Sequence, residues 1–250
     1  MADIRQGTVE TGAGPITFLA GGTPAPDRPA LVLLHGIQGS ASAWRAVMEP
    51  LAEDGQVFAP NLRGRGGSHT PDRLEDYTPA GFAADVDAFA ATIDGPFVLV
   101  GWSMGVLVAL EYVARYGTDR LAGLGLVGGS AHPGGDCHWF RGETPDAIAT
   151  EAAARAKALN LTETATPFAV AGSWLAARAA DHRATLARVD VPTLVLHGTD
   201  DDQCPLSHGR VIADGIAGAE LAVWPGCGHN PMAHDPAGVA VALGTLRGRA

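Results

Sequence analysis

A chain of 250 residues, 46% of them apolar and 18% charged, holds enough apolar material for a substantial core. Its 27 acidic side chains outnumber 17 basic ones, for a formal net charge of −10. No basic surface is then available to neutralise phosphates, which argues against nucleic acid or an anionic membrane as a partner.

No apolar run is long enough to span a bilayer. Residues 1–7 carry no apolar leader segment. The three cysteines, Cys137, Cys204 and Cys227, are widely spaced and form no C-x-x-C pair of the kind a zinc ribbon uses, so no metal site is expected. An odd number of thiols without a leader suits a reducing compartment. The expectation is a cytoplasmic protein.

Two short N-terminal strands are predicted at residues 7–11 and 15–20. After a Gly/Pro/Asp loop, residues 30–34 form an unbroken apolar run, as a strand covered on both faces requires. A helix is predicted around Trp44, Val47 and Leu51, then a strand at 56–59 and a Gly/Arg-rich loop from Pro60 to Ser68. Phe82, Val86, Phe89 and Ile93 have helical spacing. A strand at 97–100 runs into a helix at 103–116, and another strand follows at 121–127.

From 131 to 187 the strands vanish, and Ala-rich helical segments appear near 146–159 and 167–180. This reads as an insertion between core strands. Alternation returns with a strand at 193–196, a helix near 206–216, a strand at 220–224 and a helix from about Pro236 to Leu246.

Strands alternating with helices predict an α/β fold with a mostly parallel sheet of about eight strands, flanked by helices. Right-handed crossovers put the C-terminal ends of the parallel strands on one edge, where such sheets bind ligands. The residues just after each strand are therefore the ones to inspect.

After residues 97–100 comes Gly101-Trp102-Ser103-Met104-Gly105, a G-x-S-x-G turn between strand and helix. Such a turn strains its serine and lifts the hydroxyl clear of the sheet, and small flanking residues avoid clashes. The new helix also directs free N–H groups at a developing oxyanion. An ordinary Gly-rich turn is the plainer reading, but the flanking elements are those a nucleophile needs.

A serine needs a base, and the base an orienting acid. Asp200, Asp201 and Asp202 follow the strand at 193–196, and two of the three are expected to be solvated. Pro225-Gly226-Cys227-Gly228-His229 follows the last strand. Of nine histidines, only His229 combines that position with the chain order Ser, Asp, His. His234 is expected at the start of the last helix, and His197, on a strand, reads as structural. After Leu34, His35-Gly36-Ile37 lets a backbone N–H face a bound oxygen. With the N–H of Met104, the N–H of Ile37 would form an oxyanion hole, whose donors are worth about 3–4 kcal/mol each in a transition state. His35 reads as a polar strut.

These motifs together resemble the α/β-hydrolase superfamily over nearly the whole chain. They are His35-Gly36 with Gly39-Ser40 and Trp44, Asn61-Leu62-Arg63-Gly64-x-Gly66-x-Ser68, Gly101-x-Ser103-x-Gly105, Gly198-x-x-Asp201-x-x-x-Pro205, and Gly226-x-Gly228-His229. The resemblance implies that Asp201 is the acid. It also implies a core domain of residues 1–130 and 188–250, with residues 131–187 as a helical cap. The finer likeness is to carboxylesterases, enol-lactonases and cofactor-free haloperoxidase-like perhydrolases. Two departures stand out. Asn61 replaces a usual aspartate, which weakens any ion pair there, with Arg63 tying loops. Val106 replaces a frequent glycine, which is expected to widen the elbow.

The reading is a serine hydrolase of a carboxylic ester or lactone, with Ser103, His229 and Asp201 as triad, no cofactor, and a small molecule as substrate. Trp102 either walls the pocket or packs into the sheet. Trp139, Phe140, Phe168 and Trp174 are candidates for an apolar substrate pocket, with packing of cap on core as the plainer alternative. Cys204 and Cys227 flank the acid and base without a catalytic role. A perhydrolase or carbon–carbon hydrolase with the same triad, or a ligand-binding protein without turnover, stays open. So does assembly into a homo-oligomer.

Overall fold

A computed structural model describes residues 3–134 and 136–250. Met1 and Ala2, from the N-terminal segment read for a leader, and Gly135, one residue of the expected cap, lie outside the described residues. The strands are β1 (Arg5–Thr11), β2 (Gly14–Gly21), β3 (Ala30–Leu34), β4 (Val57–Pro60), β5 (Phe97–Trp102), β6 (Leu121–Val127), β7 (Thr193–Gly198) and β8 (Glu220–Trp224). They form one eight-stranded sheet in the order β1-β2-β4-β3-β5-β6-β7-β8. β1 and β2 are antiparallel to each other, and β2 to β4. Every pairing from β4 through β3 to β8 is parallel.

The parallel pairings explain why the inner strands read as unbroken apolar runs. All five residues of β3 are buried, as are the first five of β5. Helices α2 (Pro79–Ala90) and α3 (Met104–Tyr116) pack together on one face. Helices α1 (Arg45–Leu51) and α9 (Pro236–Arg247) pack together on the other. Among the described residues, no helix is long and apolar enough to cross a membrane.

Between β6 and β7 lie α4 (Pro145–Ala158), α5 (Pro167–Ala177) and the short α6 (Arg183–Leu186). Helices α2, α4 and α5 all begin Thr-Pro. Each threonine hydroxyl accepts the N–H three residues on, at 3.1 to 3.3 Å. Proline supplies the helical φ where no intrahelical donor is needed. α4 packs against α5, while α6 lies against α3 and α7 (Leu206–Gly215). The sequence pattern missed α6 and α8 (Pro231–His234), each only four residues long. His234 is therefore the last residue of its own short helix, and Asp235 caps α9.

Candidate active site

The turn after β5 is tight. Ser103 has φ 56° and ψ −118°, and it is one of two non-glycine residues with positive φ among those described. Such a conformation costs of order 1–3 kcal/mol and persists only where neighbours enforce it. The enforcement here is contact. A Cβ on Gly101 would lie 2.1 Å from the Gly105 carbonyl oxygen, and one on Gly105 would lie 2.7 Å from that of Leu34. The Ser103 N–H donates to the Val127 carbonyl at 2.9 Å, tying the turn to β6. Gly129 takes up the valine, since a Cβ there would meet Val106 Cγ2 at 2.4 Å.

Ser103 Oγ lies 2.9 Å from His229 Nε2. His229 Nδ1 lies 2.9 and 3.0 Å from the two carboxylate oxygens of Asp201. The three side chains come from the loops after β5, β8 and β7. Burial sorts the three aspartates, with Asp201 buried and Asp200 and Asp202 exposed. Asp201 Oδ1 also accepts the backbone N–H groups of Gln203 (3.0 Å) and Cys204 (2.8 Å), which fix the carboxylate. His197 is buried beside it. Its Nε2 lies 2.7 Å from the Cys204 carbonyl and 3.5 Å from Asp201 Oδ2. Burial lowers its pKa, which keeps it neutral.

The loop after β3 lies against the serine. A Cβ on Gly36 would sit 3.3 Å from Ser103 Cβ. The Gly36 carbonyl accepts from His35 Nδ1 at 2.8 Å and from the Gly39 N–H at 3.1 Å. The trans peptide then turns the Ile37 N–H the opposite way. Ile37 and Met104 are buried, and neither backbone N–H has a protein acceptor among the described residues.

His35 Nε2 accepts the Leu62 N–H at 3.1 Å, so the imidazole is a neutral link between two loops. Burial above all, then the Arg65 charge, lowers its pKa to about 3, against the bond to Gly36. Asn61 likewise ties loops without a charge. Its Oδ1 accepts from the Ala41 N–H (2.7 Å), and its Nδ2 donates to Thr17 Oγ1 (2.9 Å).

Arg63 pairs with Asp85 and the carbonyls of Asp76 and Gly81, on the α2 side. The arginine that reaches the site is Arg65, which the sequence reading passed over. Its fully buried guanidinium donates to the Ile37 carbonyl at 2.7 Å and to Ser173 Oγ on α5 at 2.8 Å. In a loop reading Arg-Gly-Arg-Gly-Gly, nothing local separates the two arginines.

The five residues expected to line a pocket divide. Trp102 donates its indole N–H to the His229 carbonyl at 2.8 Å. Its ring is wedged beside Gly36 and Gly128. Trp139, Phe140 and Trp174 are buried together, with Trp174 centroids 5.2 Å from Trp139 and 6.3 Å from Phe140. The indole N–H groups of Trp139 and Trp174 have no partner among the described residues. Phe168 stands apart, 41% exposed and edge-on to Tyr77 at 6.1 Å. Its position six residues before Trp174 on α5 turns it away from that cluster.

Residues 31–242 match the model of the Alpha/beta hydrolase family. The chain belongs to the alpha/beta hydrolase family. This alpha/beta hydrolase is 29% identical over 259 residues to a pimeloyl-[acyl-carrier protein] methyl ester esterase of Aromatoleum aromaticum, covering 87% of the chain and 97% of the relative. It resembles an esterase from Rhodococcus sp. ECU1013 at 30% identity and TM-score 0.73, over 98% of both chains. An esterase from Exiguobacterium antarcticum, 22% identical, shares the fold with TM-score 0.82 over 97% of this chain and 99% of that one.

Proposed function

We propose that this alpha/beta hydrolase is a serine esterase or lactonase that cleaves a small carboxylic ester or lactone through an acyl-enzyme. The observation that carries the reading is the unbroken chain of hydrogen-bonding distances from Ser103 Oγ through His229 to buried Asp201, on a strained turn. The hydroxyl attacks the carbonyl carbon as His229 Nε2 accepts its proton. Asp201 holds the imidazole with Nδ1 protonated and stabilises the imidazolium. The free N–H groups of Ile37 and Met104 receive the oxyanion. His229 then protonates the leaving alkoxide. Water, deprotonated by the same imidazole, releases the carboxylic acid and restores the serine.

The ester named for the Aromatoleum relative supports this bond type. We assign Trp102 to positioning His229, on its indole contact with that residue's carbonyl.

The test is labelling with a fluorophosphonate, joined to hydrolysis of p-nitrophenyl esters of increasing acyl length and of simple lactones. Ser103 is expected to be the labelled residue, and Ser103→Ala to abolish turnover. Equal, slow hydrolysis of every substrate by both proteins would exclude the ester and lactone reading.

A further inference from the structure

Cys137, Cys204 and His208 are far apart in sequence and on three different parts of the fold. Cys137 lies in the segment between β6 and α4, Cys204 in the loop that carries Asp201, and His208 on α7. Folding brings their ligand atoms within 4.8 Å of one another. Cys137 Sγ is 3.4 Å from Cys204 Sγ and 3.7 Å from His208 Nε2. Both cysteines are free thiols.

We propose that these three side chains form a binding site for a thiophilic divalent cation, with Zn²⁺ as the best match. Zinc holds sulfur at about 2.3 Å and imidazole nitrogen at about 2.0–2.1 Å, so tetrahedral ligands lie about 3.5–3.8 Å apart. The spacings from Cys137, 3.4 and 3.7 Å, lie at or just below that range, and the third pair is within 4.8 Å, so small side-chain shifts close the set on an ion. Two thiolates and one imidazole are a soft donor set that favours zinc over the oxygen-seeking magnesium and calcium.

The histidine is held as metal-ligating histidines are held. Its Nδ1 lies 2.9 Å from Ser130 Oγ, which also accepts the His132 N–H at 2.9 Å. That contact fixes the ring with Nε2 toward the sulfurs. A cavity of about 250 Å³ adjoins the cluster, lined by Ser130, His132, Asp136 and His208 among others. It touches the cluster at His208, the side from which an ion and a water as fourth ligand would enter. Binding releases the two thiol protons to solvent, and the complex of two thiolates, one neutral imidazole and Zn²⁺ carries no net charge.

The ion would join three elements. Because the Cys204 N–H donates to Asp201 Oδ1, one of them is the loop that positions the carboxylate. The site is separate from the Ser103 cluster and stands whether or not that cluster hydrolyses esters.

Chelator-treated, fully reduced protein titrated with Co²⁺ tests the proposal. One equivalent is expected to give tetrahedral cobalt bands with thiolate charge transfer, displaced by one equivalent of Zn²⁺. Cys137→Ser and Cys204→Ser should each remove the charge transfer or weaken binding strongly. Ser130→Ala should weaken it by about 10-fold or more. If the cysteine variants do not fold, zinc-edge X-ray absorption on the wild-type protein decides. Two sulfur neighbours at about 2.3 Å sustain the site, and a shell of nitrogen and oxygen alone overturns it. Absence of tetrahedral cobalt, or a spectrum unchanged in Cys137→Ser, also overturns it.

Discussion

The indole N–H of Trp102 reaches across from the end of β5 to the carbonyl of His229, 2.8 Å away, so the serine's neighbour holds the histidine's loop. The ring is packed beside Gly36 on one flank and Gly128 on the other. One side chain thus touches three of the loops around Ser103. Trp102→Phe keeps most of the packing and deletes the donor. The expected result is a loss of about 1 kcal/mol, read as a roughly 5-fold lower kcat with little change in KM. An unchanged kcat would show that the loop holds His229 without the bond.

Asp201→Asn tests the tautomer argument. Asparagine keeps an acceptor for the Gln203 and Cys204 N–H groups, so the loop should hold its shape. Its amide cannot stabilise the imidazolium as the carboxylate does. Turnover should fall by about 10⁴-fold, with residual activity from the oxyanion donors and binding. Steady-state kinetics on the best p-nitrophenyl ester reads this directly, and circular dichroism checks the fold.

Arg65 anchors the loop after β3 through the Ile37 carbonyl and joins it to α5 through Ser173. Arg65→Met leaves that buried carbonyl without its donor. A stability loss of about 1–3 kcal/mol is expected in urea unfolding. Arg65→Lys keeps the charge but lacks the planar fork that spans both acceptors, so it should recover stability only in part.

Gly101→Ala is a test of the turn. The added methyl would sit 2.1 Å from the Gly105 carbonyl oxygen, an atom of the backbone that cannot rotate away. The turn must open, with a stability cost of about 3 kcal/mol or more and loss of fluorophosphonate labelling. Retention of both the melting temperature and the labelling would contradict the packing described.

His35 makes stability depend on pH. In the folded chain its pKa falls from 6.5 to about 3, through burial first and the Arg65 charge second. The unfolded chain takes up this proton below pH 6.5, and the folded chain does not until near pH 3. The stabilisation is therefore complete above pH 6.5 and is lost as pH falls toward 3, by an amount on the order of 5 kcal/mol. Urea unfolding at pH 7, 5 and 4 should show the decline. His35→Gln, which keeps a donor and an acceptor but does not titrate, should flatten it by about one proton.

The sequence by itself determined the alternation of strands and helices, because buried parallel strands must be apolar throughout and the helices over them must be apolar on one face. It also singled out Ser103, a run of three aspartates and His229 as candidates, since each stands just after a strand and parallel strands end on one edge. Choosing Asp201 among three aspartates required the family motif; in the structure Asp201 is the buried one of the three.

Contacts between loops were decided only by tertiary structure. Arg63 and Arg65 read alike in a Gly-rich loop, yet one turns toward α2 and the other lies under Ile37. Trp102 looked equally suited to a pocket wall and to the sheet, until the His229 carbonyl gave its N–H a partner. Cys137 and Cys204 have no motif spacing, and they meet because the segment after β6 crosses the end of β7. Period and position along a chain encode which face a residue takes. They do not encode which distant loop will meet it, because that depends on how all the strands are ordered in the sheet.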